Sequence, residues 1–247
     1  SSLFVGGEFR SIESQTRNNI AAISASDGLV TAFNPDANSY VQSLLLSENT
    51  LYVGGDFSAI GGESRNRLAA LNTSDGLATS FDPNSDSSVY ALALSGSTLY
   101  AGGLFSLIGG QARNYIAALD TSTGLASAFD PNPDNGINAL ALTGSTLYAG
   151  GLLSSIGGQA RNYIAALDTG SGLATAFNPN ADSSVYALLL TGSTLYAGGQ
   201  FTAIGGQARG YLAALNTSNG LATAFNPAAD NAVRTIALSG TTLYAGG

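Results

Sequence analysis

Charged side chains that could bind a polar ligand recur along this sequence with a fixed spacing of 48 residues. A planar guanidinium hydrogen-bonds several acceptors at once, and a carboxylate accepts several donors. The two recurring sets therefore predict either Arg-to-Asp ties that fasten the fold or a repeated pocket for a polar ligand such as a sugar. The arginines are Arg17, Arg65, Arg113, Arg161 and Arg209, and the acids or amides are Asn38, Asp86, Asp134, Asp182 and Asp230.

Tyrosines recur in three sets, one of which could contribute to a sugar site. We expect two sets to pack in the core with the hydroxyl at its rim, because a tyrosine ring is mostly apolar. The third set enters the third strand of three repeats and is the candidate for stacking on sugar rings. The sets are Tyr40, Tyr90 and Tyr186; Tyr52, Tyr100, Tyr148 and Tyr196; and Tyr115, Tyr163 and Tyr211.

Missing residue types exclude much of catalytic chemistry. The sequence has no His, Cys or Lys, which removes His and Cys catalysts, Schiff-base lysines, zinc sites and disulfides. The stretch 82–86 fits a calcium loop only loosely, because hard cations need several converging oxygens. We therefore predict no metal, no cofactor and no enzymatic activity.

One enzymatic alternative stays open, a carboxylate-dependent glycoside hydrolase, since it needs only a suitably placed pair of acids. Catalysis ordinarily requires an asymmetric constellation, and the charges that stand apart from the repeated positions are few. They are Glu8, Arg10, Glu13, Glu48, Asp56, Glu63, Arg67 and Arg234.

The composition predicts a folded chain with no basic surface. Hydrophobic residues make up 45% and charged residues 10%, and the net charge is -8. Nucleic acids and anionic membranes both require a basic footprint, so neither is an expected partner. Gly, Ser, Asn and Pro interrupt every apolar run, so we expect no membrane insertion.

The whole chain is one repeat pattern. The phrase Leu-Tyr-Ala-Gly-Gly, or a variant of it, begins each period, and we expect residues 1–247 to form a single domain. The start in mid-repeat suggests a piece of a longer chain. The repeats are 3–50, 51–98, 99–146, 147–194 and 195–242, with a partial sixth at 243–247.

Each period contains four segments of strand length separated by turn residues. In the third period these are residues 89–94, 99–105, 115–119 and 125–129, with a polar loop at 109–114. Four short strands in 40 to 50 residues are typical of a propeller blade. The sequence therefore predicts an all-β, five-bladed β-propeller of four-stranded 48-residue repeats. Its ring would be closed by a composite blade from the N- and C-terminal segments, residues 3–33 and 233–238. Residues 3–9 and 243–247 both qualify as the second strand of that blade, and further repeats in a longer chain would allow more than five blades.

The repeat resembles the bacterial delta-60 repeat family. The matching phrase, Tyr-Ala-Gly-Gly-x-Phe-x-x-Ile-Gly-Gly-x-x-Arg and its continuation to Phe-Asx-Pro, can be read at Tyr196–Pro227. Its Gly-Gly doublet also resembles the kelch layout. The resemblance implies an extracellular or cell-surface propeller module and lends no catalytic residue.

These observations favour a non-catalytic extracellular module that is structural, adhesive or multivalent in binding. Repetition multiplies weak sites into avidity, or builds a stiff scaffold. The expected partners are glycans or another surface protein, with the recurring Arg, Asp and third-set Tyr residues as the candidate ligand groups.

Overall fold

The computed structural model describes residues 1–247, and all of its regular secondary structure is β. The chain divides into two compact units, residues 1–113 with 117–128 and residues 114–116 with 129–247. Each is described by itself below. The structure contains no apolar helix of membrane-spanning length.

The first unit is built from antiparallel sheets and small hairpins. Its sheets have the strand orders β1-β4, β5-β6-β9 and β10-β11-β14, and its hairpins are β2-β3, β7-β8 and β12-β13. The strands are β1 Ser2–Gly6, β2 Ser11–Ile12, β3 Gln15–Thr16, β4 Ile20–Ser24, β5 Val41–Ser47, β6 Thr50–Gly55, β7 Ala59–Ile60, β8 Glu63–Ser64, β9 Leu68–Asn72, β10 Val89–Ser95, β11 Thr98–Gly103, β12 Leu107–Ile108, β13 Gln111–Ala112 and β14 Ile116–Asp120, of which Ile116 is assigned to the second unit.

The second unit repeats this plan. Its sheets are β15-β16-β19, β20-β21-β24 and β25-β26, and its hairpins are β17-β18 and β22-β23. The strands are β15 Ile137–Thr143, β16 Thr146–Gly151, β17 Ser155–Ile156, β18 Gln159–Ala160, β19 Ile164–Asp168, β20 Val185–Thr191, β21 Thr194–Gly199, β22 Ala203–Ile204, β23 Gln207–Ala208, β24 Leu212–Asn216, β25 Thr235–Ser239 and β26 Thr242–Gly246.

The core of each unit lies between neighbouring sheets. In the first unit, Val89 of β10 lies so close to β6 that a Cβ atom at Gly54 would come within 2.9 Å of its side chain. In the same unit the Tyr52 and Phe81 rings meet edge to face at 5.6 Å between centroids. Tyr148 and Phe177 do so at 5.2 Å in the second. The predicted core role of the second-strand tyrosines is confirmed for Tyr52, Tyr100 and Tyr148, which are all buried.

The fourth strand predicted in each period is wrong. Residues 125–129 contribute a single antiparallel bridge and no ladder. In the second repeat, the Thr79 hydroxyl accepts the N–H of Phe81 at 3.3 Å, and the Thr79 carbonyl accepts Arg65 at 2.7 Å. Because side chains satisfy backbone groups that a longer ladder would use, each complete sheet has three strands.

The polar loop predicted at 109–114 is in part a hairpin. Strands β12 and β13 pair across Gly109 and Gly110, whose φ angles are +59° and +74°. A two-residue turn with both φ angles positive joins antiparallel strands well and favours glycine at both positions. Every repeat forms the equivalent hairpin.

The sheets as observed do not include the strand pairing that the predicted composite blade requires. Strand β1 pairs with β4, and β25 pairs with β26 in a separate two-stranded sheet. Residues 243–246 carry the same Leu-Tyr-Ala-Gly phrase as other second strands, and they follow β25 directly. A hairpin partner closes a much shorter loop than a distant strand does, so the local pairing is favoured.

Candidate functional site

The recurring arginines are half-buried and are held by backbone carbonyl groups. In Arg161, Nη1 donates to the carbonyl oxygen of Ala160 at 2.8 Å and Nη2 to that of Thr175 at 2.7 Å. The same two bonds are made by Arg17, Arg65, Arg113 and Arg209 at 2.6 to 2.8 Å. Each arginine therefore joins the small hairpin of its repeat to the segment that follows the third strand.

The recurring acids are held by different partners. One oxygen of Asp182 accepts the N–H groups of Thr202 at 2.8 Å and Ala203 at 3.0 Å, and the other accepts the Thr202 hydroxyl at 2.6 Å. Asp86 and Asp134 bind Ser106 and Ser154 in the same way. The predicted ties between these acids and the recurring arginines are therefore wrong. Sequence reasoning missed the serine, threonine and backbone partners because such groups are common throughout the chain.

The pKa values of these acids reflect the same contacts. Burial alone would raise the pKa of Asp182, but hydrogen bonds from the Thr202 hydroxyl and from the N–H groups of Ala203 and Thr202 bring it below its ordinary value. Asp86 and Asp134 have lowered pKa values for the same reasons. Asp230 is exposed and makes no hydrogen bond of this kind.

The third tyrosine set lies on strained backbone. Tyr115, Tyr163 and Tyr211 have φ angles of +63°, +64° and +62°, a region that bulky residues avoid. The N–H of Leu212 donates to the carbonyl oxygen of Gly210 at 2.7 Å, so Tyr211 is the central residue of a γ-turn. All three rings are half-buried, and Tyr163 packs against the core of the second unit. Stacking of these rings on a sugar stays a prediction.

The candidate calcium loop uses its oxygens internally. The Asn84 side-chain oxygen accepts from Asn66 at 2.7 Å, and the Asp86 carboxylate accepts from Ser106. These oxygens point to protein donors, as do those of Asn180 and Asp182 in the equivalent loop.

Grooves that recur in both units were missed by sequence reasoning. Each is lined by an Asx-Pro-Asx loop, the Gly-Gly turn of a small hairpin, and a leucine after a glycine. One groove of the first unit is lined by residues 34–38, 59–64 and 75–77. Two in the second unit are lined by residues 130–132, 155–160 and 172–173, and by residues 178–182, 203–208 and 220–221. Asp182 is a predicted residue on these walls, but the third-set tyrosines are not.

A further polar pocket of the first unit contains charges that do not recur. Its walls include Glu8, Arg10, Asn18 and Tyr40. A hydrogen bond to Glu8, and then repulsion from that carboxylate, raise the pKa of Tyr40. The nearby Asp56 accepts from Gln42 at 3.2 Å. Among the non-recurring acids, Glu8 and Asp56 are thus the two whose carboxylates raise the pKa of Tyr40.

Comparisons with known proteins support the fold type. Residues 47–89 match a family model described as "Domain of unknown function (DUF5122) beta-propeller". The crystal structure of the computationally designed Ika8 protein is similar with a TM-score of 0.59 and 14% identity, over 99% of this chain and 80% of that chain. The computationally designed Ika4 protein gives a TM-score of 0.49 and 16% identity, over 72% of this chain and 92% of that one. No curated protein matches significantly. With its all-β structure, the family-model match and the similarity to Ika8 identify the chain as an all-β repeat protein of the β-propeller type.

Proposed function

We propose that this protein is a non-catalytic extracellular module that acts as a scaffold and a multivalent binding element. One observation carries the proposal. The recurring Arg and Asp side chains hydrogen-bond groups of their own fold, whereas an open groove recurs from repeat to repeat. The polar network thus supports the scaffold, and the grooves are the surfaces left for a partner. Low charge and the absence of Cys and Met, together with the delta-60 and kelch-like resemblance, support an extracellular location.

Binding through equivalent grooves would gain strength from avidity. A partner that carries several copies of one weak epitope binds the second groove at a high effective concentration. Glycans and other surface proteins both present such repeated epitopes. The test is a glycan-array screen of residues 1–247, with and without calcium, followed by calorimetric stoichiometry on any glycan that binds. Saturation at several equivalent sites per chain is expected, and a single site would contradict the multivalent proposal.

We also propose that the five repeats close into a five-bladed ring in which β1 takes the position beside β25 that β26 occupies in this structure. The support is charge complementarity between positions that pair in the middle repeats. Asp182 holds Thr202, and the corresponding pair at the closure would be Asp230 with Arg10. The Tyr186 hydroxyl donates to Gln200 at 3.0 Å, and the corresponding pair would be Arg234 with Glu8. Both pairs join opposite charges.

The absence of cysteine makes this closure easy to test. The double variant Arg10→Cys and Asp230→Cys should form a disulfide within one chain on mild oxidation, giving a monomer that migrates faster on a non-reducing gel. Oxidation only to dimers, or no oxidation, would contradict closure. The single variants control for non-specific crosslinking.

A glycoside hydrolase is the rival function, because Glu8 and Asp56 both act on Tyr40 in the first unit. Glu8→Gln and Asp56→Asn should leave any ligand binding through the recurring grooves unchanged. Glu48→Gln should likewise abolish no activity, and Glu63→Gln, which lies in the groove at Leu77, should abolish no hydrolysis. Hydrolysis of an aryl glycoside that the first pair of substitutions abolishes would establish the rival and overturn the non-catalytic proposal.

A further inference from the structure

A leucine at the same position of every repeat is exposed to solvent. These side chains are 57 to 60% exposed, although the sequence around them changes from repeat to repeat. Burial of large apolar side chains is the usual outcome of folding, so one exposed leucine needs no explanation but a repeated one does. The leucines are Leu29, Leu77, Leu125, Leu173 and Leu221.

Other residues that are identical in all five repeats have evident structural roles. The arginine represented by Arg161 ties two backbone segments together. The phenylalanine represented by Phe81 is buried in four of the five repeats, and the glycine represented by Gly76 has a φ angle of +77°. The strand-end leucine represented by Leu94 is half-buried in the middle repeats. The leucine represented by Leu77 has no such role within the chain.

The turn that carries this leucine is fixed. In the first unit, the N–H of Leu77 donates to the Asp75 carboxylate at 3.0 Å, and the N–H of Gly76 donates to the carbonyl oxygen of Asn72 at 2.9 Å. In the second unit, the N–H of Leu221 donates to the Asn219 side chain at 3.0 Å. A fixed turn presents an apolar side chain at low entropic cost to a partner.

The grooves beside the leucines differ in charge. The groove at Leu77 is lined by the carboxylates of Asp36, Glu63 and Asp75. The corresponding residues around Leu221 are Asn180, Gln207 and Asn219, so Asp182 is the one carboxylate that lines that groove. The chain itself therefore carries a neutral residue at the position that corresponds to each of the three acids.

We propose that the groove of the second repeat binds a protein segment in which an aliphatic side chain is flanked by lysine or arginine. The aliphatic group would pack on Leu77, Pro35 and the Gly61–Gly62 turn, and the basic groups would face Asp36, Glu63 and Asp75. This inference rests on the proposed binding function and names its partner class. The charge of the groove supplies the complementarity.

A sugar fits this groove less well than a peptide does. Carbohydrate rings are usually held by flat aromatic faces, and the walls at residues 34–38, 59–64 and 75–77 contain no aromatic ring. Three carboxylates also favour a cationic partner over a neutral one. Both features point to basic and aliphatic side chains.

The test uses short peptides and the intact 247-residue chain. Peptides with a Lys-Leu-Lys, Glu-Leu-Glu or Lys-Ser-Lys centre are titrated into isotopically labelled protein, and the amide signals of Gly61 and Gly62 are followed. We expect saturable shifts with the Lys-Leu-Lys peptide alone. Raising the salt concentration should weaken the binding, because exposed charges are screened.

Two sets of variants separate the contributions. Leu77→Ser, and separately the triple variant Asp36→Asn, Glu63→Gln and Asp75→Asn, should each weaken binding about tenfold. All of these positions are exposed, and the triple variant uses the residues that the chain itself carries at the corresponding positions around Leu221, so we expect folding to be retained. Leu221→Ser is the matched control and should leave the shifts of Gly61 and Gly62 unchanged.

The reverse substitutions, which place the three acids in the groove at Leu221, complete the test. Asn180→Asp, Gln207→Glu and Asn219→Asp should create salt-sensitive binding in the groove at Leu221. Equal binding of the Glu-Leu-Glu peptide, an unaffected Leu77→Ser variant, or no binding of any peptide would overturn the inference. If the peptides fail while the glycan array gives multivalent binding, the proposed function stands and only the peptide partner is wrong.

Discussion

Replacing Arg161 by alanine should destabilise the protein without changing the charge state of a recurring acid. The substitution removes two charge-assisted hydrogen bonds, to the carbonyl oxygens of Ala160 and Thr175. The first acceptor is the neighbouring residue, so its bond constrains little structure. The second lies 14 residues further along the chain and joins separate segments.

The longer-range bond sets the size of the effect. A hydrogen bond to a charged group contributes about 1.5 to 3 kcal/mol, and the local bond adds less because it orders few residues. We therefore expect Arg161→Ala to lower the free energy of unfolding by about 2 kcal/mol. For a chain of this length, that corresponds to a fall in Tm of about 4 to 8 °C.

Urea denaturation and calorimetry measure these quantities directly. Arg161→Lys should lose about half as much stability, because an ammonium group keeps the charge but cannot form the planar two-carbonyl bridge. Gln159→Ala is the matched control, since Gln159 is an exposed residue of the same hairpin. Arg209→Ala should repeat the result in the next repeat, where the same two bonds are 2.7 Å long.

An unchanged Tm in Arg161→Ala, combined with loss of ligand binding, would refute this reasoning. It would show that the guanidinium is a ligand group and that its carbonyl contacts contribute nothing to folding.

Further predictions concern other elements of the repeat. Arg67 has a φ angle of +62°, so Arg67→Asn should raise the free energy of unfolding in urea by about 0.5 to 1 kcal/mol, because asparagine tolerates this region; a decrease would show that no strain is relieved. Folding lowers the pKa of Asp182, so the ionised carboxylate stabilises the fold above the unfolded pKa of 3.8, and this stabilisation is lost as the pH falls through the lower folded pKa. Asp182→Asn should therefore flatten the acid limb of a Tm-against-pH curve, and curves that run parallel for the two proteins would contradict this. Gly55→Ala would place a Cβ against the carbonyl oxygen of Tyr40 and should lower the free energy of unfolding by about 3 kcal/mol or more. Gly62→Ala, at a φ of +80° in open space, should lower it by about 1 kcal/mol. Similar urea midpoints for the two variants would contradict the close approach at Gly55.

Strand positions were predictable where apolar runs and turn residues coincide. The segment predicted at 89–94 is β10, and the segment predicted at 115–119 overlaps β14 closely. The small hairpin at Gly109–Gly110 also has a local signal, since paired glycines favour a two-residue turn. The fourth strand was not predictable in the same way, because its apolar pattern does not show that Leu125 is exposed while Phe129 is buried, or that side chains satisfy some of its backbone groups.

The contacts of the candidate site were less accessible from sequence. Arg161 binds carbonyl groups, which every residue possesses, so no residue type marks its partners. The positive φ angle of Tyr163 runs against the preference of its own side chain. The exposed leucine of each repeat is visible in the sequence, but its exposure is decided by the surrounding turns, and only the structure shows it.

The central claim is that the Arg and Asp network serves the fold while the grooves serve binding. The most direct measurement compares Tm and peptide affinity in two variants. The network variant combines Arg161→Lys with Asp182→Asn, and the groove variant combines Asp36→Asn, Glu63→Gln and Asp75→Asn. The account predicts that the network variant has a lower Tm with unchanged affinity, and that the groove variant has an unchanged Tm with affinity about tenfold weaker. The opposite pattern, with affinity lost in the network variant and stability lost in the groove variant, would contradict it.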